Sequence, residues 1–132
     1  MQRSGRMFRG RIDLAIEARG RLIGEIQARG HASHRPMPLP GVFEIGIVIW
    51  SGRDRRHGYG TEAIELLTGW LFDEAGAARV QLSTAVQNAA MRRVAEKIGF
   101  EFEGVLRGYL PSDDGGRDDY AMYGVTSLAE LR

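Results

Sequence analysis

At 132 residues, with 43% hydrophobic and 27% charged side chains, the chain is sized for a single domain spanning 1–132, with a core of its own. The 18 basic residues against 17 acidic ones leave a net charge of +1, so no overall field argues for nucleic acid or a membrane surface as partner. Cysteine is absent, which excludes disulfides, thiolate metal sites and a cysteine nucleophile, and no metal site is expected. No apolar run reaches membrane-spanning length. The basic start MQRSGRMFRG lacks the hydrophobic stretch of a secretory signal, so a cytoplasmic location is expected.

The first ten residues read as loosely ordered. IDLAIEA then alternates through Ile12, Leu14, Ile16 and Ala18, and after a short turn at RGR, LIGEIQA alternates through Leu22, Gly24, Ile26 and Ala28: a β-hairpin. GHASHRPMPLPG, with three prolines, reads as a loop. Val42 to Trp50 is β-branched and apolar on both faces, as in a central strand. TEAIELLTGWLFDEAG carries Ile64, Leu67 and Leu71 at helical spacing, joined by Ala63, Leu66 and Trp70, with Gly76 as its stop. RVQLSTAV is a strand. NAAMRRVAEKIGF is a second helix, with Met91, Val94, Ala95 and Ile98 on one side, Asn88 at its start and Gly99 past its end. FEFEGVLR and DYAMYGVT read as strands joined by the acidic loop GYLPSDDGGRD. The order β-β-β-α-β-α-β-β predicts an α/β domain with a mixed sheet and helices against it.

The stretch RDRRHGYGTEA, Arg53 to Ala63, stands out. Arginines and a histidine precede Gly-Tyr-Gly at the start of a helix, where free N–H groups carry partial positive charge and glycines let a ligand approach. It reads as an anion cradle or as a solvated loop with turn glycines. A phosphate-binding P-loop needs Gly-x-x-x-x-Gly-Lys followed by Ser or Thr, which is absent. GYGTEA fits a dinucleotide fingerprint, but SGRDRRH separates it from its strand, and Gln87 and Asn88 stand where an acid is wanted.

Taken together, Arg55-x-x-Gly58-x-Gly60 before a helix, Asn88 opening a second helix and KIGFEFEG closing it resemble the GNAT acetyltransferase superfamily, and within it the RimJ/RimL-type branch, over roughly residues 12 to 126. The resemblance implies a mixed, mostly antiparallel central sheet flanked by helices. It implies acetyl-CoA as co-substrate and an amine acceptor, either a protein N-terminus or a small amine. The amides from Arg55 to Thr61 would hold the pyrophosphate, with Gly58 and Gly60 permitting the approach past Tyr59, Arg55 adding charge, and the Thr61 hydroxyl capping the helix or donating to phosphate. Arg53, Arg56 and His57 are either further contacts or solvated charge. The backbone of Ile47, Val48, Ile49 and Trp50 would pair with the pantetheine arm, with the Val48 N–H a candidate for the thioester oxygen. Asn88 either bonds the pantetheine or caps its helix. Arg92 or Arg93 either reaches the adenosine 3′-phosphate or stays solvated.

Deprotonating the attacking amine calls for a carboxylate, and Glu44, interrupting an otherwise apolar strand, is the candidate base; the alternative is an ion pair with an arginine. The chain departs from the family where many members place the acid: Ala95 stands in place of a tyrosine and Met91 in place of a serine, leaving Tyr109, Tyr120 and Tyr123 without positional support. It also lacks the usual strand and helices before the hairpin, which implies an open acceptor groove or one completed by a partner or missing segment, and exposed apolar surface suited to a homodimer. Asp113, Asp114, Asp118 and Asp119 either attract a cationic acceptor or form a soluble hairpin connection. The alternative to an enzyme is a catalytically weak acyl-CoA-binding sensor or scaffold.

Overall fold

The computed structural model describes residues 11–30 and 41–132, together with the backbone of residues 2–3. The loop expected around the three prolines lies, apart from its end residues, outside the described residues. One seven-stranded sheet runs in the order β1-β2-β3-β4-β5-β7-β6. Its strands are β1 (Gln2–Arg3), β2 (Arg11–Ala18), β3 (Arg21–Gly30), β4 (Val42–Ile49), β5 (Arg79–Ala85), β6 (Glu101–Pro111) and β7 (Arg117–Val125), with helices α1 (Tyr59–Asp73) and α2 (Ala89–Ile98). The short β1, in a stretch expected to be loose, pairs antiparallel with β2. All pairings are antiparallel except β4 with β5.

The period-two pattern holds in β2, where Ile12, Leu14, Ile16 and Ala18 are buried. In β3 the phase shifts. A bulge between Ile16 and Glu17 displaces the register, so Ile23 is buried and Leu22, expected inside, is exposed. The hairpin turns on Arg19 and Gly20, both at positive φ. On α1, Ile64, Leu67 and Leu71 pack into the core with Phe43, Ile45, Val80 and Leu82, while Leu66 faces outward. From α2, Ala95 and Ile98 join the same cluster. Both helices therefore cover one sheet face. The other face carries Asp13, Glu25, Gln27, Arg29, Glu44 and Gln81, alternating with the buried positions.

The β6–β7 hairpin is longer than its turn signals suggest. Gly108 and Pro111 lie within β6, and the register slips between Leu106 and Leu110. Arg117 donates to the carbonyls of Gly108 and Tyr109, and Asp119 accepts from the Gly108 N–H, so the irregular backbone is satisfied inside the ladder.

Candidate active site cleft

The only parallel pair among the described strands is also the shortest pairing between full-length strands. β4 and β5 pair at Val42–Arg79, Phe43–Val80 and Glu44–Gln81, and then part. Beyond that point β4 continues against β3 alone, through to Ile49 opposite Gly24. The edge it turns toward β5 opens into a cleft of about 530 Å³ floored by β4 and walled by the starts of α1 and α2.

Ladder phase decides which β4 groups face that cleft. Trp50 N–H donates to Ile23 C=O at 3.0 Å, and bonded positions alternate along an antiparallel pair, so Val48, Gly46 and Glu44 also turn their backbone groups to β3. Consistently, a Cβ on Gly24 would meet the Val48 carbonyl. Ile45, Ile47 and Ile49 point the other way, and the Ile49 carbonyl accepts from Arg55 at 3.1 and 3.2 Å. The Val48 N–H is thus committed to β3. The amides that face the cleft are those of Ile47 and Ile49, and the Ile47 N–H is the one nearer its middle along β4.

The helix α1 begins two residues earlier than its apolar pattern suggests. Gly58, at φ 80°, is its N-cap, and no side chain caps the helix. Left-handed backbone here selects glycine. The first bond inside the helix runs from Glu62 N–H to Gly58 C=O, so the N–H groups of Tyr59, Gly60 and Thr61 are left for other partners. Thr61 therefore lies inside the first turn and is not the cap. Gly60 is not at positive φ, and a Cβ there would meet only Ile47 Cδ1 at 3.6 Å, so folding does not demand glycine at that position. What its missing side chain leaves is open space beside three free amides. Arg56, at φ 65°, also holds left-handed backbone in this loop, two residues before Gly58.

Of the residues singled out from sequence, Ile47, Val48, Ile49, Arg55, Arg56, Gly58, Tyr59, Gly60, Thr61 and Asn88 line this cleft. Trp50, His57, Arg92 and Glu44 do not. The Trp50 side chain is 56% exposed. His57 lies 2.9 Å from the Arg53 carbonyl, on the far side of the loop. Arg92 turns under α2: it donates to the Tyr123 hydroxyl at 3.0 Å and to the Val86 carbonyl at 3.2 Å, and sits over the Phe102 ring. These bonds tie Arg92 to the β7 side of α2. Tyr123 is fully buried and its hydroxyl donates to Glu96, which removes it as a proton donor to the cleft. Asn88 caps α2, its side chain accepting from Met91 N–H at 3.1 Å, with its NH₂ group still free to face the cleft. The α2 wall consists of Ala90, Met91 and Val94, and Ala95 points into the core.

Glu44 stands where the two strands part, on the sheet face away from the helices. Gln81 Nε2 donates to its carboxylate at 2.7 Å. Gln81 Oε1 in turn accepts from Arg79 Nε at 2.7 Å, and Arg79 makes two bonds to Glu103. Arginine only donates, so the direction of the whole chain is fixed and the Gln81 NH₂ must face Glu44. Arg79 holds the Glu103 carboxyl below its ordinary range, chiefly through these hydrogen bonds. Sequence reading missed Gln81 because only the pairing of β5 with β4 brings it to Glu44. It also missed Asp54, which is nearly buried behind the loop. There Arg21 makes two hydrogen bonds to Asp54 and holds its carboxyl below the ordinary range. Of the four hairpin acids, Asp114 and Asp119 are engaged in the hairpin's own bonds. Among the described residues no group of three His, Asp or Glu side chains could hold a metal ion, and no helix is long and apolar enough to cross a membrane.

The family model for the GNAT acetyltransferase domain matches residues 3–101. No curated protein sequence matches the chain. Among solved structures, a GCN5-related N-acetyltransferase from Brucella melitensis is 32% identical, with a TM-score of 0.72 over 87% of this chain and 50% of its own length. Mycobacterium smegmatis RimJ, solved with CoA-disulfide, superposes at a TM-score of 0.78 over 90% of this chain and 54% of its own, at 24% identity. A Vibrio cholerae spermidine N-acetyltransferase, SpeG, shares the fold at 0.74 and 19% identity, over 89% of this chain and 66% of its own. The chain thus spans between half and two-thirds of these proteins' length. The family model covers most of the sequence, and the parted strands, glycine loop and capped second helix stand in the order that the motif resemblance implies: the chain belongs to the GNAT acetyltransferase domain family.

Proposed function

We propose that the chain is a cytoplasmic N-acetyltransferase of the RimJ/RimL type, which binds acetyl-CoA in the β4–β5 cleft and acetylates a primary amine. The observation that carries this reading is the convergence, in one cleft, of three unbonded N–H groups at the start of α1 with the unpaired edge of β4. When bound, acetyl-CoA supplies the acetyl group and a thiol leaving group. The amides of Tyr59, Gly60 and Thr61 hold phosphate oxygens, and Gly60 lets them approach. Arg55 braces the loop against the end of β4 while keeping donors to spare. The outward backbone groups of Ile47 align an extended amide-bearing arm and offer an N–H to a carbonyl oxygen. Glu44 takes the proton of the incoming amine, directly or through water, with one carboxylate oxygen held by Gln81.

The test is thiol release from acetyl-CoA with a panel of amines: a peptide with a free N-terminus, spermidine and an aminoglycoside. Turnover with one of them, reduced about a hundredfold or more in Glu44→Gln, supports the reading. Wild-type rates in Glu44→Gln across the pH range would remove Glu44 as base. The second reading, an acyl-CoA-binding sensor or scaffold, is favoured by the α2 wall of Ala90, Met91 and Val94, which offers no proton donor. Tight acetyl-CoA binding without thiol release to any amine would select it.

A further inference from the structure

Behind the glycine loop, on the β3 side of β4, lies a second pocket of about 370 Å³ lined by Arg19, Arg21, Arg53, Asp54, His57 and Tyr59. It adjoins the cleft, with which it shares Asp54 and Tyr59. Three arginines against one carboxylate leave two positive charges there before His57 is counted. Asp54 is not free to repel an anion, because Arg21 already occupies both of its oxygens. Arg53 is 70% exposed, and its approach to Asp54 is only 4.0 Å. Arg19 makes no hydrogen bond or ion pair among the described residues.

Arg19 is also costly where it stands. It holds φ 51° at the tip of the β2–β3 hairpin, a position that Gly, Asn or Asp would fill with less strain. Its backbone conformation therefore gives no reason for arginine, whereas its place in the pocket does. Arg19 also lines a neighbouring hollow of about 280 Å³, where Glu17 and Glu62 outnumber it, so the net positive charge lies on the Arg21 and Arg53 side.

We infer that this pocket receives the phosphate monoester of the bound co-substrate, the 3′-phosphate of CoA. This rests on the acetyl-CoA reading above and assigns the part of the ligand for which Arg92 or Arg93 was the sequence candidate; Arg92 is instead bonded to Tyr123 and Val86. A phosphate monoester carries about −1.5 to −2 charges at neutral pH, which matches the pocket's two net positive charges. It is separated from the pyrophosphate by a single ribose, as the pocket is separated from the free amides of α1 by the loop alone. Arg19 and Arg53 supply the exposed guanidinium forks, and Arg21 supplies charge from behind.

The experiment is calorimetric titration of the whole chain with CoA and with dephospho-CoA, which differ only in that phosphate. The wild type is expected to bind CoA about 10- to 100-fold more tightly, the range for one or two charge-assisted hydrogen bonds. In the Arg19→Gln/Arg53→Gln double variant the ratio falls below about threefold, while in Arg92→Gln it is retained. Equal wild-type affinity for the two ligands overturns the assignment. So does a ratio that survives the double variant, or one that collapses in Arg92→Gln instead. Should neither ligand bind the wild type, the acetyl-CoA reading itself fails, and the inference with it; binding of dephospho-CoA without discrimination sinks the inference alone.

Discussion

Two glycines two residues apart are expected to respond oppositely to the same substitution. Gly58 caps α1 at φ 80°, and a Cβ added there would have no atom within 4 Å, so alanine strains the backbone alone, at about 1–2 kcal/mol. Gly60 sits in the first helical turn, and an alanine Cβ would touch only Ile47 Cδ1, at an ordinary 3.6 Å. Replacing it restricts the unfolded chain and improves helix propensity, which stabilises by about 0.5–1 kcal/mol. For 132 residues the unfolding entropy is roughly 0.28 kcal/mol/K, from about 2.1 cal/mol/K per residue. Thermal denaturation should therefore show Gly58→Ala falling by roughly 4–7 °C and Gly60→Ala rising by roughly 2–4 °C. A third variant, Gly60→Trp, fills the space beside the free amides and should abolish acetyl-CoA binding while the protein stays folded. A Gly60→Ala variant that loses more than about 1 kcal/mol would mean that glycine serves the fold there. Undiminished acetyl-CoA binding by Gly60→Trp would show that the amides are not the phosphate site.

Tyr123→Phe removes a buried hydroxyl that joins Arg92 to Glu96; unfolding in urea should show a loss of about 1–2 kcal/mol with acetyl-CoA affinity unchanged. Gln81→Leu removes one donor from the carboxylate of Glu44. Steady-state kinetics should show kcat reduced several-fold with KM for acetyl-CoA unchanged, and no further loss when the substitution is added to Glu44→Gln. Asp54 has its folded pKa depressed by Arg21, so its contribution to stability is present above the ordinary carboxylate range and is lost as the pH falls through the lower folded value. Denaturation between about pH 6 and 2 should show this acid-side loss shrinking in Arg21→Met, and an identical pH profile in that variant would refute the pairing.

Elements whose apolar period is unbroken were legible from the residues alone: β2, the body of α1, and α2 with its Asn88 and Gly99 ends. What escaped depends on pairing. The bulge at Ile16–Glu17 turns Ile23 inward in place of Leu22, and no pattern within either strand announces it. Gly108 and Pro111 are turn residues by type, yet Arg117 and Asp119 on the facing strand satisfy their neighbourhood and keep it in the ladder. The same limit governs the site. The glycine loop and the cleft side of β4 follow from local chemistry, but whether Ile47 or Val48 offers its amide is set by the β3 register. Arg92 reads from the sequence as a phosphate contact or a solvated charge; the hydroxyl that bonds it comes from Tyr123, 31 residues away.

The central claim is that the parted strands and the bare start of α1 form an acetyl-CoA site. Calorimetric titration of the purified chain with acetyl-CoA, with NADH as control, tests it most directly. Micromolar one-to-one binding of acetyl-CoA is expected, with none of NADH and loss of binding in Gly60→Trp. No acetyl-CoA binding by the wild type, or binding that Gly60→Trp leaves intact, would contradict it.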